Sequence, residues 1–355
     1  LRFEPEEGQG GSIAGLDLNT RFDAFAGLMR ALPAPGIPGQ VSINLPAIVA
    51  GDTTIRNIEL RAEPAEGGWS IGSVAATLPG RTQFEANGLL TTSDTLAFNG
   101  HMLLAIGQPS GFAAWVSRDV DDAIRRLPSA GFSADVNLSR RAQSFEALEL
   151  ILGDARFNGR VERREPDNAK PSLEVTLDGE ALDLDGIQAF MSLFVNDAGV
   201  NRLAGHDVDL AVKAGPVSAE GLKAETVDTA LRLRAGVLEI DRLTLGGLAG
   251  AQLSATGQIR DFSTAPTGQV DATILSTDLA DLAVMLAGRF PQNRLFEAIA
   301  RRAQAFPGLF EDAEINVIAS AADNNDGTVG LAVSAEGTAG GTDLGLSFSD
   351  RSPRE

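Results

Sequence analysis

The sequence has no cysteine and no tyrosine, and only two histidines and two tryptophans among its 355 residues. Without cysteine there can be no disulfide framework, no thiolate metal site and no thiol nucleophile. Basic residues are also scarce: 29 Lys and Arg stand against 48 Asp and Glu, a formal charge of −19. That balance excludes a nucleic-acid partner, which needs a basic surface to neutralise phosphates. No apolar run approaches the ~20 residues of a membrane-spanning helix, and the longest stretches, around Pro46–Gly51 and Leu282–Gly288, fall far short. Aromatics make up 5% of the chain, so the apolar content is mostly Ala, Leu, Val and Ile, which suit thin layers better than thick cores. The chain starts without Met and carries no charged-then-apolar leader at Leu1. It is expected to be a segment of a longer protein, with any anchor outside it.

What is present is alternation. From Leu96 to Ile106, Leu96, Phe98, Met102, Leu104 and Ile106 share one parity, while Asn99 and His101 take the other. Leu173, Val175 and Leu177 oppose Glu174, Thr176 and Asp178; Leu253, Ala255 and Ile259 oppose Gln252, Ser254, Thr256 and Gln258. The same beat runs through Val41 to Leu45, Phe132 to Leu138, Val270 to Ile274, Ile315 to Ala319, Val329, Leu331 and Val333, and Leu344 to Phe348. Period two places one set of side chains on a single face of a strand. Turn signals separate the runs, among them Glu66-Gly67-Gly68, Pro79-Gly80, Asp178-Gly179 and Asp323 to Gly327. Short strands joined by tight turns predict antiparallel meanders.

Helical patterns interrupt the strands. Thr20 can cap a helix bearing Phe22, Phe25, Leu28 and Met29, ended by Pro33; Ser110 precedes Phe112 to Val116, followed by a more polar helix from Asp119 to Leu127. Asp185 can cap Ile187 to Phe194, Thr277 can cap Leu279 to Leu286, and a further helix is expected from about Asn293 to Phe306. An Asp-Leu step precedes several of them, at Asp17-Leu18, Asp183-Leu184 and Asp278-Leu279. A strand, Gly, strand string lies upstream of three: Leu78 to Gly88, Leu152 to Gly159 and Leu245 to Gly257. The fold class expected is therefore mainly β with a few interspersed helices: an extended, twisted antiparallel β-sheet groove built from divergent meander-plus-helix repeats. One elongated array over 1–355 divides into a helix-containing N-terminal stretch, 1–36, then 37–127, 128–196, 197–306 and an incomplete unit 307–355.

Candidate chemistry is sparse. Gly68-Trp69-Ser70-Ile71-Gly72 matches G-x-S-x-G, but a nucleophile elbow needs a strand leading into a helix. Both flanks here read as strand, so the motif predicts a hairpin whose second strand buries Trp69 and Ile71. His101 falls on the polar parity of its strand and His206 beside Asp207 in a loop, without spacing for a zinc site. Asp119, Asp121 and Asp122 are flanked by Arg118, Arg125 and Arg126, a solvated helical face. At Asp323 to Gly327, Ala322 takes the first position of a calcium loop and no bidentate Glu follows. The expectation is no enzyme, no catalytic residue, no metal and no cofactor.

If consecutive meanders join, some sixteen strands at about 4.8 Å would span roughly 75 Å, with one parity lining the whole length. The residues expected to line that face are Leu96, Phe98, Met102, Leu104, Ile106, Leu173, Val175, Leu177, Leu253, Ala255, Ile259, Val270, Ile274, Val329, Leu331 and Val333. Moving a sixteen-carbon chain from water onto such a wall is worth on the order of 12 kcal/mol at ~0.8 per CH₂. A phosphate head group is costly to bury unpaired, so such a trough would stay open along a seam. Alternation alone leaves a second architecture open, in which the same face is an ordinary closed core, roofed by the helices or a second sheet, of a structural or interaction scaffold with no lipid cargo.

The strings Gln40 to Pro46 (QVSINLP), Thr54 to Leu60 (TIRNIEL), Ala76 to Thr82 (ATLPGRT) and Leu253 to Ile259 (LSATGQI) resemble the AsmA family of Gram-negative envelope proteins. The likeness extends along nearly the whole chain through its strand, Gly, strand, helix rhythm. The resemblance implies a periplasmic β-groove tethered to the inner membrane by a segment not included here. It further implies phospholipid acyl chains as cargo, outer-membrane or envelope proteins as partners at the ends, and a role in phospholipid transport and outer-membrane homeostasis. Two departures stand out: the usual N-terminal anchor is missing, and the helices at Pro109–Leu127 and Pro291–Phe306 are large for repeat junctions.

Overall fold

A computed structural model describes residues 39–50, 53–93, 95–117, 120, 122–184, 207–219, 221–261, 266–291, 294–306, 308–323 and 328–353. The helices expected after Thr20 and Asp185, and His206, lie outside these residues. The chain divides into two compact units, with a boundary between Ala169 and Lys170.

The first unit contains eight strands: β1 (Val41–Ala50), β2 (Thr53–Ala65), β3 (Gly68–Leu78), β4 (Thr82–Thr91), β5 (Ala97–Ile106), β6 (Ala130–Ser139), β7 (Ala142–Leu152) and β8 (Ala155–Arg164). Each pairs antiparallel with the next, in chain order from β1 to β8. With β1 and β8 at opposite ends of the ladder, this sheet is an open meander. Two helices, α1 (Pro109–Ser117) and α2 (Asp122–Arg126), replace the hairpin turn between β5 and β6. They land where Ser110 and the Asp119–Leu127 pattern predict helix.

The main run of the second unit has four strands, a helix pair and three strands, where the first unit has five, a pair and three. Strands β14 (Thr226–Arg234), β15 (Val237–Leu248), β16 (Ala251–Arg260) and β17 (Thr267–Asp278) lead into helices α3 (Ala280–Arg289) and α4 (Arg294–Ala305). The chain returns through β18 (Glu311–Asp323), β19 (Thr328–Ala339) and β20 (Thr342–Pro353), all antiparallel. On the other side of β14 stand β11 (Asp207–Ala214) and then β9 (Ser172–Gly179). The β9–β11 pair is parallel, which corrects the all-antiparallel expectation. The physical reason is connection length: a parallel neighbour needs a crossover of a dozen or more residues, and residues 180–206 supply it. A small sheet of β10 (Leu182–Asp183), β12 (Val217–Ala219) and β13 (Leu222–Ala224) stands apart from the main ladder.

The core of each unit sits beneath its helices. In the first, Phe112, Ala113 and Val116 of α1 and Ala123 and Ile124 of α2 pack on Leu104, Ile106, Ala130 and Leu152. Trp115 meets Phe112 edge-on at 5.7 Å, and its indole N–H donates to Thr53 Oγ1 at the start of β2 at 2.8 Å. That bond reaches from α1 to a strand remote from its own attachment. The β3–β4 turn passes so close under α1 that a Cβ on Gly80, whose φ is +74°, would strike the Phe112 backbone. In the second unit Leu279, Leu282 and Met285 pack on Ala251, Ala313, Ala339, Ile274 and Leu344. The helix start there corrects one expectation: Leu279 is the N-cap, and the Ala280 N–H is taken by Asp278 Oδ1 at 2.8 Å instead of by Thr277. A carboxylate at this place also favours the positive end of the helix dipole.

Thr82 is fully buried opposite Ile106, and its hydroxyl has no hydrogen-bond partner among the described residues. Ile106→Ala is expected to cost about 2–4 kcal/mol through the cavity it opens. Thr82→Val is expected to leave the fold unchanged and to raise stability by about 1 kcal/mol, since it removes an unpaired buried hydroxyl. Urea denaturation of both variants tests the pair of outcomes.

Candidate apolar face

The ladder registers show which side chains share a face. In the first unit one row runs Leu60, Val74, Ala86, Met102 and Ala134 from β2 to β6. Another runs Phe84, Leu104, Phe132, Leu150 and Phe157 from β4 to β8. A third joins Trp69, Leu90, Phe98 and Leu138. The opposite face carries Glu59, Glu85, Asn87, His101, Asp135, Glu146, Glu149 and Asn158. In the second unit Leu210, Leu231, Ile240, Gly257, Val270, Ala319, Val333 and Phe348 form one row from β11 to β20. Leu245, Leu253, Ile274 and Ile315 form another.

Bulges preserve this sorting. The β3–β4 register slips between Ile71 and Val74, β7–β8 between Phe145 and Leu148, and β15–β16 between Ile240 and Leu243. Each extra residue restores the apolar set to the same side after the break, and bends the strand. In β7 the bulge places Ala147 at φ 46°.

Among the described residues, helices cover one end of each face. Ile106 and Ala130 beside the helices are buried, as are Ala134 and Val136 farther along β6, whereas Met102 opposite Ala134, Phe145 opposite Val136, and Leu90, Phe98 and Leu138 at the far end are half-exposed. In the second unit Leu331 and Phe348 are 42% and 49% exposed. Gly88 and Gly100 oppose each other in the middle of the first face. A Cβ on either would collide with the neighbouring strand's backbone, and Gly88 holds φ +146°. The pair leaves the face without side chains at that point.

The expected lining residues fall as follows. Phe98, Met102, Leu104 and Ile106 lie on the apolar side of β5; Leu96 precedes that strand. Leu173, Val175 and Leu177 of β9 match Val208, Leu210 and Val212 of β11. Leu253, Ala255 and Ile259 of β16 face the same way as Val270 and Ile274 of β17, and Leu331 and Val333 of β19 continue the set. Val329 stands near the end of β19 opposite Ser352. Phe84, Phe132, Phe145 and Phe157 were missed, although the Phe132 to Leu138 alternation already signalled β6.

Ser70 lies in the interior of β3 on the polar side, opposite Leu89, with no helix following it. Trp69 and Ile71 are half-buried, not buried, because no described element lies over their end of the face. His101 joins a cross-strand chain: its Nδ1 meets Asp135 Oδ1 at 3.0 Å and its Nε2 meets the Ser133 hydroxyl at 3.1 Å. This has the order of a hydrolytic trio. It stands mid-sheet, however, where backbone N–H groups serve the ladder, so it has no donors directed at an oxyanion. The His101 and Asp135 side chains are 45% and 68% exposed. Among the described residues no cluster of three or more His, Asp or Glu could hold a metal, and no helix is long and apolar enough to cross a membrane.

On the polar side of the second unit Arg232 grips Asp241 through two bonds of 2.6 Å and reaches Glu239 at 3.1 Å. The hydrogen bond from Arg232 holds the Asp241 carboxyl below its ordinary value, and Asp241 with Glu239 raises the guanidinium. No family model matches the chain, and neither the curated proteins nor the solved structures contain a match.

A carboxyl whose folded value is depressed stabilises the fold above its unfolded value and loses that contribution as pH falls through the folded value. Arg232→Met is therefore expected to move the Asp241 titration upward toward the ordinary carboxylate range, followed by carboxyl NMR. In a separate test, His101→Ala is expected to cost under about 1 kcal/mol, as for exposed pairs generally, checked by urea denaturation.

Proposed function

We propose that this chain is a lipid-binding segment of an AsmA-like periplasmic protein, and that the apolar face of each unit holds acyl chains. The observation that carries the reading is the one-sided apolar face, continuous across successive strands and, among the described residues, covered by helices at one end. At ~4.8 Å per strand, eight strands give about 34 Å of such surface, enough for an extended sixteen-carbon chain. Soluble monomers rarely leave apolar patches of this kind without a ligand or partner to cover them.

The shared order of elements supports a repeat. In each unit at least four successive antiparallel strands lead into a helix pair and three follow it, and the helices pack over the end of the ladder at which that pair is inserted. An open seam lets a polar head group remain in water while the chain lies on the sheet. On this reading no residue is catalytic; the cargo moves along apolar surface, and direction comes from partners that load and unload the ends. The polar face, with its cross-strand ion pairs and net acidic charge, keeps the segment soluble. Membership of the AsmA group and the tether to the inner membrane belong to the proposal and rest on the sequence resemblance.

Replacing Phe98 and Met102 by Glu places two charges in the half-exposed rows. The double variant is expected to retain its circular dichroism spectrum and to lose photo-crosslinking to a diazirine-bearing fatty acid at the first unit. Unchanged crosslinking by a folded variant refutes the assignment of that face. A wild-type chain that takes up no fatty acid favours the closed scaffold instead.

A further inference from the structure

We propose that the α3–α4 helix pair of the second unit is a docking surface for an anionic phospholipid bilayer. The inference goes beyond acyl-chain binding, because a bilayer surface can be bound without any chain entering the sheet. Two independent features of the same segment point to it. The first is charge: in a chain of −19, residues 280–306 hold Arg289, Arg294, Arg301 and Arg302 against Asp281 and Glu297, a local charge of +2. The second is exposed apolar surface beside that charge. Phe306 is 63% exposed, Phe290 50% and Val284 42%.

Arg294 and Arg301 are seven residues apart on α4 and so share its outer side, while Ala300 and Ala303 are buried on the opposite side. Arg302 is exposed next to Arg301, which is paired only loosely with Glu297 at 3.8 Å. Phe290 lies at the corner between the helices, its ring 5.7 Å from that of Phe296. Phe306 closes the far end of α4, about 18 Å along the helix at ~1.5 Å per residue. Arg302 lies four residues before the exposed Phe306 and so shares its side at the end of α4, and a cation beside an exposed phenylalanine matches an interfacial segment, where cations meet lipid phosphates and apolar side chains enter the headgroup boundary.

The first unit provides an internal control. Helices α1 and α2 roof the corresponding end of its sheet, yet their described residues include no exposed large hydrophobic side chain. Roofing therefore does not require exposed phenylalanines, and Phe290 and Phe306, each directly after its helix, need another reason.

The test is co-sedimentation of the whole chain with vesicles of phosphatidylcholine alone or of phosphatidylcholine with phosphatidylglycerol. Binding is expected only with phosphatidylglycerol and should weaken as salt is raised. The Arg294→Glu, Arg301→Glu, Arg302→Glu variant should bind at least about tenfold more weakly, at roughly 1 kcal/mol per basic side chain near the surface. The matching Arg→Lys variant should bind like the wild type, which separates charge from loss of fold. Phe306→Trp should shift its emission to the blue on vesicle binding. Equal binding to both vesicle types, no loss in the Glu variant, or no emission shift in the presence of bound vesicles overturns the proposal. The Phe98→Glu, Met102→Glu variant is expected to dock as the wild type does, so failure of the acyl-chain reading and failure of this one give different results.

Discussion

A β-strand sorts its side chains by parity, and every other feature of these two units depends on that sorting being maintained across the ladder. A slip of one residue in any strand would send its leucines and phenylalanines to the side that carries Glu85, His101 and Asp135. Register is therefore enforced at each pairing by the cost of exposing one set and burying the other. The bulges at Ile71/Val74, Phe145/Leu148 and Ile240/Leu243 are consistent with this constraint. They absorb an extra residue while returning the apolar set to its proper side.

The same sorting explains why the helices are needed and why they cover so little. An open sheet with one apolar side must gain a hydrophobic core from a second layer. In the first unit that layer is a helix pair anchored on Leu104, Ile106, Ala130 and Leu152, tied back to β2 by the Trp115 indole. In the second it rests on Ala251, Ala313 and Ala339. Beyond the roofed end small side chains such as Ala86, Ala134 and Val136 stay buried between larger ones, while Leu90, Phe98, Met102 and Leu138 are half-exposed.

Much of this was legible in the sequence because period two is a local signal. The alternations at Phe98 to Ile106, Val270 to Ile274 and Val329 to Val333 correspond to β5, β17 and β19. The helices after Ser110 and Asp278 were legible for a similar reason, as apolar clusters following a polar cap. Strands β7 and β15 were harder to read, since each bulge breaks parity midway: Phe145 and Leu148, like Ile240 and Leu243, sit an odd number of residues apart yet share a face. The parallel β9–β11 pair was illegible for another reason. Pairing direction depends on where the chain goes between strands, and alternation within a strand carries no record of that. The Ser133, His101 and Asp135 chain likewise spans two strands and becomes visible only once their register is known.

In each unit the helix pair occupies the place of a hairpin turn, since β5 and β6, like β17 and β18, are hydrogen-bonded neighbours. Topologically the roof is thus a long loop, and the entropy of closing a loop grows only slowly with its length. The ladder and the cover are separable inventions: one fixes an apolar surface, the other decides how much of it water sees. Lengthening, shortening or exchanging the cover would leave every strand pairing in place while resetting the area open to a guest. A lineage could tune what the sheet admits by editing one connection, without touching the sheet.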